Sequence, residues 1–293
     1  MRQIEIACED AGKKIESFLK KQFPIGYVRK LFRKHGVRLN GQKAKPDDLL
    51  RSGDRLQLYI PFQKTAKAAS QAGPKTPLLP VVCEDERIIV IDKPAGLAVH
   101  EARGILRRDT VIGLLEAQYR EQNIRPRLVH RIDQDTSGLL LVAKSLEAAT
   151  EFESSFEKSA VEKIYIALVA GRLVQNAGTI DCSLPGRDGQ PVRALTHFKV
   201  THRFGDTTLV QARIDTGRMH QIRLHFAKLS HPVVMDERHG DFAFNKKFRK
   251  TYGLKRQFLH AARLSLVIRD KKTTWSAPLP EDLADVLEAL RAG

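Results

Sequence analysis

Cysteine is scarce in this 293-residue chain. Cys8, Cys83 and Cys182 are odd in number and no two of them stand as C-x-x-C, which argues against a disulfide framework and a cysteine zinc site and suits a reducing cytosol. Long apolar runs are missing too. Those present, such as Ile88–Ile91 and Leu139–Ala143, are strand-sized, far short of the roughly 20 residues a membrane helix needs. Met1-Arg2-Gln3-Ile4-Glu5 lacks an apolar signal core, so a cytoplasmic protein without a membrane partner is expected. No two glycines stand at G-x-G spacing, and neither a G-K-S/T loop nor an H-E-x-x-H helix is present, so the usual dinucleotide, phosphate and metal signatures are missing. His220 and His225 are five apart, poor spacing for one helical face. No cofactor and no metal is expected.

Acidic residues are short in one region only. Residues 1–80 hold 17 Lys and Arg against 7 Asp and Glu, and the other 213 residues hold 33 against 27. Most of the +16 net charge therefore sits in the first quarter of the chain, which favours a polyanionic partner such as nucleic acid. Between Glu16 and Asp47 there is no acid at all.

Residues 1–62 read as a small module. Ile15, Phe18 and Leu19 repeat at helical spacing, Pro24 breaks that helix, and Val28, Leu31 and Phe32 mark a second one. Gly36 closes it, Val37–Leu39 alternates like a strand entering an Asn40-Gly41 turn, and Asp54–Ile60 returns. The second helix carries Arg29, Lys30, Arg33 and Lys34, with Arg38 on the following strand. An unpaired basic cluster of this kind is relieved by phosphates, so these five residues are RNA-contact candidates. The module resembles the S4 RNA-binding domain over residues 13–60. Residues 63–80, QKTAKAASQAGPKTPLLP, have no acid and no periodicity and read as a flexible linker.

Residues 81–293 read as one mixed domain, which makes the chain α+β overall. Strands are expected at Ile88–Ile91, Gly138–Ala143, Ile164–Val169, Thr208–Ile214 and Leu264–Ile268. A helix after Pro280 has Leu283, Val286, Leu287 and Leu290 on one face. The stretch Asp181–Arg193, with Gly186 and Gly189, reads as a mobile hairpin. The most informative segment is HRIDQDTSGLLLVAK, residues 130–144: a polar loop that runs straight into an apolar strand. Asp133 and Asp135 stand at the mouth of that strand beside His130 and Arg131. Asp135 fits a side-chain-capped turn, whereas Asp133, following Ile132, fits a functional role. Tyr165 by itself reads as a core aromatic.

That segment resembles the H-R-L-D-x-x-T-S-G-L-L motif of the RluA-type pseudouridine synthases. Three further blocks agree in order: Ile91-Asp92-Lys93-Pro94-Ala95-Gly96 through His100, Lys163-Ile164-Tyr165, and Gly217-Arg218-Met219-His220-Gln221-Ile222-Arg223-Leu224-His225. With the S4-like module and residues 253–261, the likeness is nearest to the branch that modifies large-subunit ribosomal RNA. The resemblance implies that Asp133 is the catalytic carboxylate, attacking C1′ of the uridine or removing a 2′ proton, that Tyr165 stacks on the uracil, and that an arginine of the third block holds Asp133 ionised. Arg223 is favoured for that pairing, and Arg218 for phosphate or scaffold contact. Arg131 would fill the stack emptied by the flipped base. His130 would touch the RNA backbone or make an internal hydrogen bond, and Ile222 would help line the substrate site. Ser230, Met235 and His239 stand where the family commonly has glycine, glycine and tyrosine, which bears on substrate choice. Pseudouridine formation needs no external reagent. Alternatives are a non-catalytic RNA-binding assembly factor and a uracil-releasing glycosylase. No strong apolar interface is legible, so a monomer is expected.

Overall fold

The structure, a computed structural model, describes residues 2–23, 25–59, 78–102, 104–158, 160–186 and 188–292. Two compact units divide the chain, residues 1–74 and 75–293. Pro24 and residues 63–77 of the expected linker lie outside the described residues, as does the side chain of Lys30.

The first unit contains β1 (Arg2–Glu5), α1 (Ile15–Gln22), α2 (Ile25–Arg33), β2 (Val37–Leu39), β3 (Gln42–Lys43) and β4 (Arg55–Leu58). Its strands form an antiparallel sheet in the order β1-β4-β2-β3. The helical spacing of Ile15, Phe18 and Leu19 puts them on one buried face, against Val28 and Leu31 of α2 and Leu56 and Leu58 of β4. Asn40 and Gly41 both take positive φ, 51° and 85°, the conformation a two-residue hairpin turn between twisted strands requires. Arg29, Arg33, Lys34 and Arg38 are exposed.

The second unit opens with β5 (Val81–Glu84), β6 (Ile88–Lys93), α3 (Val111–Gln118), β7 (Arg127–Leu128), β8 (Ser137–Ala143), α4 (Leu146–Glu157) and β9 (Glu162–Ala170). It continues with β10 (Ala177–Asp181), β11 (Leu184–Pro185), β12 (Pro191–Val192), β13 (Leu195–Arg203), β14 (Thr207–Ile214), α5 (Gln221–Lys228) and α6 (Phe242–Tyr252). The last elements are β15 (Leu259–Ile268), β16 (Lys271–Ser276) and α7 (Glu281–Ala292). A ten-stranded mixed sheet runs β10-β13-β14-β9-β15-β8-β6-β5, with β16 on β15 and β7 on β8. All pairs are antiparallel except β8 with β15. Every residue of β8 is buried, as its continuous apolar run predicts.

Two differences from the sequence reading have local causes. Strand β15 begins at Leu259, five residues before the expected Leu264, because the register slips between Ala261 and Arg263 and the bulge breaks the apolar alternation. Strand β13 was not anticipated: its sequence LTHFKVTHR mixes buried and exposed positions in a strongly polar run. The expected hairpin within Asp181–Arg193 is present as β11 and β12, paired Leu184 to Val192. Helix α7 buries Leu283, Val286, Leu287 and Leu290 against Phe248 and Phe258. Among the described residues no helix is long and apolar enough to cross a membrane.

Candidate active site around Asp133

The loop before β8 is fixed at both ends by the chemistry of its residues. Its last turn closes through the Thr136 amide donating to the Asp133 carbonyl, 3.1 Å, and the Gln257 side-chain amide donates to Thr136 Oγ1 at 2.7 Å. The capping role expected of the Asp135 carboxylate is therefore taken by the backbone, and Asp135 itself is exposed. Gly138 then enters β8 at φ +109°, where a Cβ would lie 2.3 Å from the Ala261 carbonyl oxygen. Only glycine permits both that backbone conformation and that approach. Ala261 pairs with Gly138 on one side and with Tyr165 on the other, so the loop, β15 and the Tyr165 position share one rung of the sheet.

Lys93, at the end of β6, is fully buried. Its Nζ donates to the carbonyls of Pro94, Leu97 and Gln134 at 2.8, 2.9 and 2.9 Å. Burial pulls its pKa down to about 7, yet three acceptors match the three N–H bonds of the ammonium form. The charge thus ties the loop after β6 to the residue that follows Asp133.

Arg223, on α5, reaches Asp133 from the other side. Its Nη1 donates to Asp133 Oδ2 at 2.8 Å, while Nε and Nη2 donate to the two oxygens of Asp236 at 2.6 and 2.7 Å. Asp236 is completely buried. Burial alone would raise its pKa, but Arg223 and the amides of His239 and Arg238 hold it below the usual carboxylate range. Burial likewise opposes the charge of Arg223, and its bonds to Asp236 and Asp133 outweigh that and raise its pKa. The first turn of α5 is set by Gln221, whose Oε1 accepts from Thr216 Oγ1 and the Arg218 amide, and whose Nε2 donates to the Leu195 carbonyl.

His220 precedes α5 in the left-handed region, φ 53°. Its Nε2 lies 3.9 Å from Asp133 Oδ1, and its Nδ1 shares a hydrogen bond with His239 Nε2 at 2.9 Å. Burial is the main reason both imidazoles are held below their ordinary pKa. Ser230 and Met235 both take φ 62°, a region in which glycine is at ease and these residues are strained.

Asp133, Tyr165, Ile222 and Arg223 line one small pocket of about 60 Å³, together with Ile214 and Leu259. Burial, and then the charge of Asp133, push the Tyr165 phenol above its ordinary range, so it stays protonated at neutral pH. Arg218 and Arg131 are exposed at the pocket rim; Arg218 Nε also donates to the Arg193 carbonyl, 3.2 Å. A neighbouring cleft of about 350 Å³ is lined by Arg131, Phe156, Lys163, Tyr165 and Arg218. His130 lines that cleft too, but its ring is engaged internally. Its Nε2 accepts from the Leu141 amide at 2.9 Å, its ring stacks on Phe156 at 4.3 Å, and burial lowers its pKa to about 3. Of the two roles expected for His130, the structure shows the internal bond, and a neutral ring committed to a backbone amide is no phosphate cation. The sequence reading missed Asp236, Lys93 and Gln221 as site-building residues. Asp236 was visible within the segment that departs from the family pattern, but nothing local marked it as a partner of Arg223.

Comparison with known proteins adds an independent observation. The model of the RNA pseudouridylate synthase family matches residues 87–228. The chain is 34% identical to ribosomal large subunit pseudouridine synthase C of Vibrio cholerae, covering 98% of this chain and 96% of that one. Against ribosomal large subunit pseudouridine synthase D of Xanthomonas campestris it is also 34% identical, covering 99% and 93%. Among solved structures it resembles human RNA pseudouridylate synthase domain containing 1, with TM-score 0.56, 25% identity, and coverage of 76% of this chain and 98% of that one. Human RNA pseudouridylate synthase domain containing 4 shares the fold, with TM-score 0.61 at 24% identity, covering 72% and 93%.

Proposed function

The chain belongs to the RNA pseudouridylate synthase family, and on that premise we propose that it isomerises uridines of large-subunit ribosomal RNA, with Asp133 as the reacting carboxylate. As a pseudouridine synthase it is an isomerase: the N1–C1′ bond breaks, a C5–C1′ bond forms, and the proton lost from C5 is balanced by one gained at N1. The observation that carries the assignment of Asp133 is its position in a small pocket between Arg223, 2.8 Å away, and the ring of Tyr165.

Attack on C1′ and removal of the 2′ proton both start from an ionised carboxylate. Arg223 supplies the cation that keeps it so, and Asp236 fixes the guanidinium in plane. Tyr165, with Ile222 and Leu259, offers the apolar face on which a detached uracil is held against the sugar and away from water. A protonated phenol suits that task better than proton abstraction. Arg131 stands where a flipped nucleotide enters, with a planar cation able to stack on the vacated bases, and Arg218 contacts phosphate. Residues 1–62 act as an S4-like anchor through Arg29, Lys30, Arg33, Lys34 and Arg38, tethered by residues 63–80 to the catalytic domain, residues 81–293. The protein works as a monomer in the cytoplasm. A relation to proteins named for the large ribosomal subunit supports that substrate.

Chemical mapping of pseudouridine on ribosomal RNA transcripts, treated with wild-type protein and with Asp133→Ala, tests this. Wild-type-dependent sites in large-subunit RNA that vanish in the variant are expected. Sites confined to transfer RNA would overturn the substrate. Release of free uracil, or no product from any RNA, would overturn the activity.

A further inference from the structure

A second, wider cavity opens at Asp133. It measures about 580 Å³ and meets the small pocket at Arg131, Asp133, His220 and Arg223. The remainder of its wall differs in kind. Where the pocket has Tyr165, Ile214, Ile222 and Leu259, this cleft has Arg238, Lys255, Arg256, Glu237 and Asp135.

Pairing decides which of these charges face a ligand. Arg223 is consumed by Asp133 and Asp236, Arg256 by Asp282 at 2.6 Å, and Glu237 by Arg249 at 2.8 Å. Arg131, Arg238 and Lys255 have no carboxylate within 4 Å among the described residues, and all three are exposed. Against them stands one unpaired acid, Asp135. Three cations from three separate segments therefore converge on a cleft that begins at the reacting carboxylate.

The two new cations are rigidly mounted. The turn that carries Arg238 is closed by the amides of Arg238 and His239, which both donate to Asp236 Oδ1 at 2.9 Å. The same carboxylate takes Arg223. Lys255 is followed by Arg256, whose guanidinium is bound by Asp282 and lies 3.5 Å from the Asp135 carbonyl in the catalytic loop. Each cation is thus within two residues of a group braced to the reacting centre, the arrangement that fixes a ligand in register.

We propose that Arg238 and Lys255 form a phosphate subsite that grips the RNA backbone beside the flipped uridine. The proposal rests on the reading of the small pocket as the uridine site. A strand whose ribose lies at Asp133 must continue out of that pocket, and its next phosphates carry the charge that this cleft lacks. Backbone contacts of this kind set register and carry no sequence preference.

The test uses the full chain, a fluorescein-labelled single-stranded uridine decamer as probe, and Arg238→Ala, Lys255→Ala, the double variant and Lys271→Ala. Lys271 is exposed at the start of β16 and pairs with Ile268, nine residues along β15 from Leu259, so it controls for charge alone. We expect the double variant to bind about tenfold more weakly, with the slope of log affinity against log salt reduced by roughly 0.7 for each phosphate contact removed from a single strand. Lys271→Ala should keep both. In turnover on ribosomal RNA the loss should fall on KM more than on kcat. An unchanged affinity and slope in the double variant, or equal losses in Lys271→Ala, would overturn the subsite. Binding decides this whether or not pseudouridine forms, so failure of the activity assay and failure of the subsite are separate results.

Discussion

Arg223 and Asp236 form a buried two-bond pair, Nε to Oδ2 at 2.6 Å and Nη2 to Oδ1 at 2.7 Å, which leaves Nη1 alone for Asp133. The Asp133 carboxylate is thereby held by one N–H of a guanidinium whose plane is set elsewhere. Lysine, a point charge with no fork, cannot serve both acids at once.

Arg223→Lys should therefore lower single-turnover pseudouridine formation by about two orders of magnitude, the scale of losing one preorganised donor. Asp236→Ala should cost about 3–5 kcal/mol of stability, because it strands a buried cation. Rate measurements at saturating enzyme and urea unfolding check the two. A fully active Arg223→Lys would show that charge alone suffices.

Gly138→Ala should be among the most damaging single changes outside the pocket. The added methyl would meet the Ala261 carbonyl at 2.3 Å, at φ +109°, and overpacking and backbone strain each cost about 1–3 kcal/mol. Gly205, where an added Cβ meets nothing within 4 Å, is the control, and Gly205→Ala should stay within about 0.5 kcal/mol. Thermal unfolding of the two variants side by side is the measurement.

His130 gives a stability effect with a definite sign. Its pKa falls from 6.5 in the unfolded chain to about 3 in the fold. Above pH 6.5 it is neutral in both states and costs nothing. Between pH 6.5 and 3 only the unfolded chain takes the proton, so stability is lost as pH falls, by up to about 1.4 kcal/mol per unit. His130→Gln does not titrate. The advantage of wild type over this variant in urea unfolding should shrink from pH 7 to pH 5, and a constant difference would show that folding does not shift the ring's pKa.

Much of the site was legible because its chemistry is local in sequence. Asp133, Tyr165, Ile222 and Arg223 come from short blocks whose residue types announce them, and the structure gathers all four around one pocket. The elements legible from pattern were those with one buried face, such as α1 and α7, or with a continuous apolar run, such as β8. Strand β13 escaped because its alternation is diluted by polar residues, and the start of β15 because a bulge disrupts the period. Asp236 escaped for a different reason. A buried acid becomes recognisable only through its cation, and Arg223 is 13 residues away across a turn. For His130 the sequence left an RNA contact and an internal hydrogen bond both open, because it shows a basic side chain in a polar loop but not the Leu141 amide that donates to it.

In the first unit, replacing Arg29, Arg33, Lys34 and Arg38 together by Gln should weaken RNA binding and flatten its salt dependence, since fewer phosphates are neutralised. All four are exposed, so the fold should persist. Fluorescence titrations of ribosomal RNA fragments between 50 and 300 mM salt, about the range over which counterion release is readable, would show it. An unchanged slope would place the anchor elsewhere.

The enclosure of Lys93 makes it an internal gauge of the loop that carries Asp133. An ammonium shared among three carbonyls has no free electron pair and no path to solvent, so an amine-acylating reagent should pass it over while modifying the many surface lysines. Its labelling rate would then measure how often the Asp133 loop comes undone, a local opening event otherwise hidden beneath the far greater stability of the surrounding sheet.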